Sequence, residues 1–466
     1  MKTARLMGAS VLVAVMALAA GACGSPGSPS GSSNNEASQV HNDAKANDTA
    51  KCRNTVKKPN AEKVTVWAWY PAFGKLVDHF NETHDDLQVC WTSADQSAKA
   101  YSRFNTTIKA KSGAPDVIQL EYAVMPQFAS GVEKHLVDLS KFGVDKIRSN
   151  YTAGAWKDVQ LGGSKGVYGV PVDVGPVVMY YRKDIFDKYQ VKPPTTWDEY
   201  EQAGRELKQK GYTGHIGNWQ PNGTLFNYAY YDQNGAKVFK YSANDPENVG
   251  ININSDKVKK VVSFWQKLAK DDIVATDDTD TAEWNKKNVD GSYATIIHAS
   301  WLVGYLNGVS GVQEGSQWQI AKAPVWDQSD PDVNCGGSGM AVTDQAKHTE
   351  AAAKVAMELF GDDAAQDIAV NDSGLYPTWT KKLSSAAFLD RQEPFFGNQK
   401  INKIIAPVAQ GYKGYQFLPF QTYANDEQTK TLSAILRDGK NASTSLDSLQ
   451  QTLSDYAKQQ GFKVSQ

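Results

Sequence analysis

Two periodicities alternate between residues 63 and 120, and that alternation restricts the fold more than anything else in the chain. Lys63–Trp69 is a short β-branched and aromatic run. Phe73–Thr83 then places Phe73, Leu76, Val77 and Phe80 on one helix face. Leu87–Trp91 reads as a second strand, Ala98–Ser112 as a second helix, and Gly113-Ala114-Pro115 breaks it before a third strand at Asp116–Leu120. Parallel strands need helical crossovers, so this βαβαβ order predicts an α/β fold with a helix-covered parallel sheet. Ligands of such sheets collect at the carboxyl ends of the strands. Trp69 ends the first strand and Glu121 and Tyr122 follow the third, which makes all three candidate site residues. Asp95, at the start of the helix after the second strand, is placed equally for N-capping or for ligand contact.

The alternation continues downstream. Gly166–Gly175 is extended chain with a Gly/Pro interruption, followed by a strand over Val177–Arg182. Thr196 and Glu199 form a capping box at the head of a helix. Further strands are predicted at Tyr293–Ile297 and Trp318–Ala321, and further helices up to Lys270, over Thr349–Phe360 and across 426–460.

The first 55 residues are of another kind. Lys2 and Arg5 precede an apolar run from Leu6 to Ala20, and Ala20-Gly21-Ala22 supplies small residues before Cys23. Residues 1–22 therefore read as a signal peptide. Leu18-Ala19-Ala20-Gly21-Ala22-Cys23 resembles a bacterial lipobox, with Ala20 where Leu is usual. The expected outcome is cleavage before Cys23 and lipidation of Cys23. Residues 23–55 are rich in Ser, Gly, Asn and Ala and read as a flexible tether. An exported chain meets an oxidising compartment. Cys52 and Cys90 flank neighbouring strands and are paired on that ground, leaving Cys335 as a buried thiol.

Charge and motifs exclude several function classes. Lys and Arg number 49 against 51 Asp and Glu, a net charge of −2 that speaks against nucleic-acid binding. There is no H-E-x-x-H, P-loop, G-x-G-x-x-G or C-x-x-C, so neither metal nor cofactor is expected. Gly336-Gly337-Ser338-Gly339-Met340 lacks the last glycine of a nucleophile elbow and reads as a Gly-rich turn or a close backbone approach. The acidic pairs Asp85-Asp86, Asp277-Asp278 and Asp362-Asp363 read as solvated loops or helix starts.

Several segments recur together in one family. They are Gly113-Ala114-Pro115-Asp116-Val117; Gly166–Pro171 followed by Tyr180-Tyr181-Arg182-Lys183-Asp184; Pro194–Tyr200; Gly291-Ser292-Tyr293-Ala294 followed by Ser300-Trp301; and Gly336–Gly339. In that order the chain resembles the family 1 extracellular solute-binding proteins, the carbohydrate receptors of ABC importers, and is similar in layout to their maltose-binding members. The resemblance implies a type II two-lobe clamp, each lobe a sheet flanked by helices, with three hinge crossings near Asp173–Pro176, Gln319–Val325 and Thr380–Ser385. Lobe 1 would comprise 56–173 with 326–380, and lobe 2 would comprise 177–319 with 385–466. It further implies a non-enzymatic, monomeric receptor, lipid-anchored on the outer face of a Gram-positive-type membrane, that binds an oligosaccharide and docks on ABC permease subunits.

Aromatic residues suit such work, and there are 12 Trp, 21 Tyr and 16 Phe. A flat ring covers the C–H face of a pyranose while polar side chains serve its hydroxyls. Trp301 sits where the family keeps a stacking Trp. Trp219 lies in a loop after a short strand, and Trp379 lies close to a hinge crossing. Asp173, beside Gly175-Pro176, is the first polar candidate. Trp67, Trp197 and Trp265 read as core, Trp284 as core, rim or cleft, and His298 as a satisfied core or rim histidine. A secreted glycoside hydrolase, a clamp receptor for a non-sugar solute and a surface adhesin remain open as rivals.

Overall fold

The N-terminal alternation becomes β1 (Glu62–Trp67), α1 (Phe73–Thr83), β2 (Leu87–Ser93), α2 (Ser97–Ala110) and β3 (Val117–Glu121). The computed structural model describes residues 51–129, 134–279, 281–308, 312 and 315–465. Cys23, the expected signal peptide and most of the expected tether lie outside the described residues. β1 runs parallel to β2 on one side and β3 on the other. Phe73, Leu76, Val77 and Phe80 of α1 are buried, the face that their spacing defines. Cys52 and Cys90 are joined in a disulfide that ties residues before β1 to β2, and Cys335 is buried outside that bridge.

Next come α3 (Ala153–Val159) and β4 (Val170–Arg182), thirteen residues without a break. The sequence suggested an interruption at Gly175-Pro176, but the strand passes through it by changing partners. Three later strands, β5 (Thr295–Ala299), β6 (Trp318–Lys322) and β7 (Asn334–Val342), pair with it antiparallel. Residues 170–176 of β4 pair with β7, whereas 177–182 lie between β5 and β6. Pro176 has no N–H to contribute to a ladder. The neighbouring Gly175 N–H donates instead to Asn334 Oδ1 at 2.7 Å. A Cβ on Gly175 would lie 2.0 Å from the Cys335 carbonyl oxygen, so only glycine fits.

β7 makes the same exchange in reverse. It starts beside Pro176 and ends antiparallel to β3, which gives the order β2-β1-β3-β7-β4-β6, with β5 also on β4. β7 thus reaches from β4 to β3 over residues 334–342, downstream of the 319–325 segment expected as a crossing. Residues 319–322 are still paired with β4, and Val325 bridges to Thr196. The Gly-rich run at 336–339 is part of this strand rather than a turn.

Between β4 and β5 the chain forms α4 (Trp197–Gln209), α5 (Thr224–Gln233), α6 (Asp256–Lys270) and α7 (Ala282–Val289). Thr196 Oγ1 caps α4 by accepting from the Glu199 N–H at 3.1 Å. The Glu199 carboxylate turns one residue further back than a standard box, to the Thr195 N–H at 2.8 Å. Trp197 and Trp265 pack edge-on at 5.2 Å in the core. No helix among the described residues is long and apolar enough to cross a membrane.

Candidate functional site

The carboxyl ends of β1 and β3 meet the partner-exchange point of β4 and β7 at a cavity of about 410 Å³. Trp69, Glu121, Asp173 and Trp301 all line it, joined by Tyr70, Gln119 and Ser338. Two strands hold the first wall. Alternation puts Gln119 and Glu121 on one face of β3. Gln119 Oε1 accepts the Trp69 N–H at 2.8 Å, which fixes the chain as it leaves β1. The Trp69 ring meets Tyr101 edge-on at 5.8 Å, and the Glu121 N–H donates to Tyr101 Oη at 3.3 Å.

Ser338 is the hub of this wall. Its N–H and Oγ both donate to Asp173 Oδ1, at 3.0 and 2.7 Å. Its Oγ also lies 2.9 Å from Tyr70 Oη and accepts from Gln119 Nε2 at 3.3 Å. The preceding Gly337 has φ +99°, and a Cβ there would lie 2.8 Å from both the Asp173 carbonyl oxygen and the Tyr122 ring. This is the close backbone approach that the glycine run permits.

Burial pushes the Asp173 carboxyl up to about 6; hydrogen bonds from Ser338 oppose the shift and the charge of Glu121 adds to it. Glu121 is also raised by burial, against a hydrogen bond from Tyr101. No Lys or Arg is among the described residues that line the cavity. The wall thus offers acceptors and carries partial negative charge, which suits hydroxyl donors and repels anions.

The opposite wall is aromatic. Residues 222–226 at the head of α5, with Thr279, His298 and Trp301, close the cavity. Trp301 is 44% exposed, the one large apolar side chain so exposed among the described residues.

The other expected site residues lie elsewhere. Tyr122 is buried behind the cavity, where its hydroxyl donates to the Asp173 carbonyl at 3.0 Å. Asp95 is occupied by Lys99 at 2.7 Å and Arg103 at 3.1 Å. Burial would raise its carboxyl, but these partners and Ser93 outweigh it and hold it below the usual range. Trp219 is 2% exposed, packs 5.0 Å from Trp265 and donates its indole N–H to Asn227. Trp379 is buried edge-on to Tyr151 at 6.4 Å. A loop position pointed to Trp219 and nearness to an expected hinge crossing to Trp379, but large apolar area drives such tryptophans into the nearest core. Of the residues not foreseen, Gln119 was legible from its alternation with Glu121. Ser338 was hidden inside a glycine run that read as a turn or a close backbone approach, with no role for its own side chain.

The model of the bacterial extracellular solute-binding protein family matches residues 75–393, more than half of the chain. The chain belongs to that family. This solute-binding protein is 26% identical over 257 residues to an arabinooligosaccharide-binding protein of Halalkalibacterium halodurans, covering 53% of this chain and 54% of the relative. It is 22% identical to the arabinooligosaccharide-binding protein of Bacillus subtilis, over 63% of this chain and 68% of that one. The chain thus spans about half the length of the first relative and two thirds of the second. Among solved structures, the ABC transporter associated binding protein of B. animalis subsp. lactis Bl-04, in complex with β-1,6-galactobiose, superposes with TM-score 0.73 at 27% identity, covering 87% of this chain and all of that one. The solute-binding protein therefore has the two-lobe α/β clamp fold of the type II binding proteins.

Proposed function

We propose that this solute-binding protein is the extracellular receptor of an ABC importer and binds an oligosaccharide between its two lobes. The observation that carries this reading is the pairing of the exposed Trp301 ring with the acceptors Asp173, Glu121 and Gln119 across one cavity without a cationic side chain. A ring opposite a set of acceptors matches a neutral solute with an apolar face and a hydroxyl rim. Relatives named for arabinooligosaccharide and lactose binding support the same solute class. Trp69, Glu121, Asp173 and Trp301 are the proposed ligand contacts. Lobe 1 is built around β1–β3 and lobe 2 around β5 and β6, with β4 and β7 as two of the three hinge crossings. Ligand that touches both lobes only when they close shifts the population to the closed form, the shape that permease subunits read. Processing before Cys23 and acylation of that residue would anchor the monomeric receptor to the outer face of the membrane through a flexible tether, raising its effective concentration near the permease. Calorimetry of the mature protein against mono- and oligosaccharides tests the reading; failure to bind any neutral sugar would overturn it.

One observation favours a second reading. Glu121 and Asp173 are two carboxyls in one cavity, both raised by burial, which is the minimum a glycoside hydrolase requires. A receptor returns its ligand intact, so chromatography of bound oligosaccharide after prolonged incubation separates the two.

A further inference from the structure

His298, the last residue but one of β5, lines the cavity and is fully buried, and no side chain among the described residues hydrogen-bonds either ring nitrogen. Its surroundings are rings. Phe226 lies 4.3 Å away, Trp301 meets it edge-on at 4.3 Å, and Trp284 lies at 6.0 Å. The backbone of Ala299 alone bears on the ring, and its carbonyl also accepts from Tyr180 Oη at 2.9 Å, so at most one ring nitrogen is engaged. The sequence suggests a satisfied core or rim histidine; the ring is buried as expected, but at least one of its nitrogens is left without a partner. A buried polar group left unpaired is costly, and it persists where something else is gained.

We propose that His298 is a specificity-determining residue of the ligand cleft, its imidazole forming a hydrogen bond to a hydroxyl of a neutral sugar once the Trp301 ring shifts. This rests on the sugar-receptor reading above. Trp301 is the half-exposed cover of the imidazole, and a ligand that stacks on it engages the cover and the group beneath it together. Burial pushes the ring down to about 3, against a hydrogen bond with the Ala299 backbone, so it is neutral at physiological pH. A neutral imidazole offers one donor and one acceptor and suits a hydroxyl, whereas an imidazolium only donates and would attract anions. A site built to pair a hydroxyl rejects the analogue that lacks it far more strongly than an apolar wall does.

The test uses the mature protein with β-1,6-galactobiose, arabinotriose and lactose as probes. Wild type, labelled with ¹⁵N-histidine, is titrated with each sugar, and the resonance absent from His298→Phe is assigned to His298. The expected result is that the sugar that binds moves this resonance. His298→Phe and His298→Asn should both lose about tenfold or more in affinity. A deoxy analogue should be rejected by wild type and tolerated by His298→Phe. An unmoved resonance, or unchanged affinity and deoxy discrimination in both variants, would overturn the inference while leaving the receptor reading intact. Failure of wild type to bind any probe would overturn both. Should His298→Phe not fold, the resonance absent from His298→Asn spectra assigns His298 and the wild-type titration decides.

Discussion

Asp173 Oδ1 accepts two hydrogen bonds from Ser338, one from the backbone N–H at 3.0 Å and one from Oγ at 2.7 Å. The pair joins β4 to β7 close to where both strands change partners, so the acceptor proposed for ligand is anchored on the two strands that link the sheet's halves. Its carboxyl lies at about 6, against 3.8 for a free aspartate, chiefly through burial. Between those values the folded chain holds a proton that the unfolded chain has lost. The stabilisation from this group is full below 3.8 and disappears as pH rises through about 6. Sugar affinity should run the other way, because only the ionised carboxylate accepts at every lone pair. Calorimetry from pH 5 to 8 is expected to show affinity rising through pH 6, with Asp173→Asn weaker and flat. An equally steep profile in Asp173→Asn would remove Asp173 from the site.

Trp301 and Trp219 separate the cleft from the core. Trp301 is 44% exposed, so its replacement by Ala should change stability by less than about 0.5 kcal/mol. Sugar affinity should fall on the order of 10- to 100-fold with loss of the stacking face. Trp219→Ala opens a hole beside Trp265 and should cost about 3–5 kcal/mol of stability. Urea unfolding and sugar titration of both variants check the contrast, and full-affinity binding by Trp301→Ala would sink the stacking assignment.

The N-terminal βαβαβ pattern was readable because its signals are local: Phe73, Leu76, Val77 and Phe80 need only the helix they sit on to define a face. The carboxyl-end argument placed Trp69 and Glu121 at the cavity for the same reason. Asp173 and Ser338 are different. They lie 165 residues apart, and their meeting depends on β7 entering the sheet between β3 and β4. Local periodicity carries no information about such non-local pairing. Trp219 and Trp379 show the converse: a loop position does not say which way a ring turns, and each turned into a nearby aromatic cluster.

The Cys52–Cys90 bridge closes a loop of 38 residues around β1 and α1. A loop of that length contributes about 3–4 kcal/mol by restricting the unfolded chain. Reduction, or Cys52→Ala with Cys90→Ala, should lower the thermal midpoint while leaving sugar affinity nearly unchanged, since neither cysteine lines the cavity. Scanning calorimetry with and without reductant, alongside titration of the double variant, measures both. A large loss of affinity at a temperature where the variant is folded would show that the bridge also shapes the cleft.

Asp158, on α3, is 3% exposed. One carboxyl oxygen accepts from the Tyr415 N–H at 2.9 Å and Tyr412 Oη at 3.3 Å, and the other is buried without a partner among the described residues. Burial pushes the group up to about 7; the two tyrosines and Lys157 oppose the shift, and Asp232 adds to it. The folded chain therefore retains a proton here up to neutral pH. The stabilisation is complete below 3.8 and is lost as pH climbs through about 7. Between pH 5 and 8 this group alone should cost on the order of 3 kcal/mol. Asp158→Asn, which carries no charge at any pH, should equal or exceed wild type in stability at pH 8 and lose that advantage toward pH 5. The crossing distinguishes it from Asp173, whose loss is complete by a lower pH. Urea unfolding of wild type and Asp158→Asn at pH 5, 6, 7 and 8 reads the difference directly, and parallel pH dependences in the two proteins would show that Asp158 ionises without burial strain.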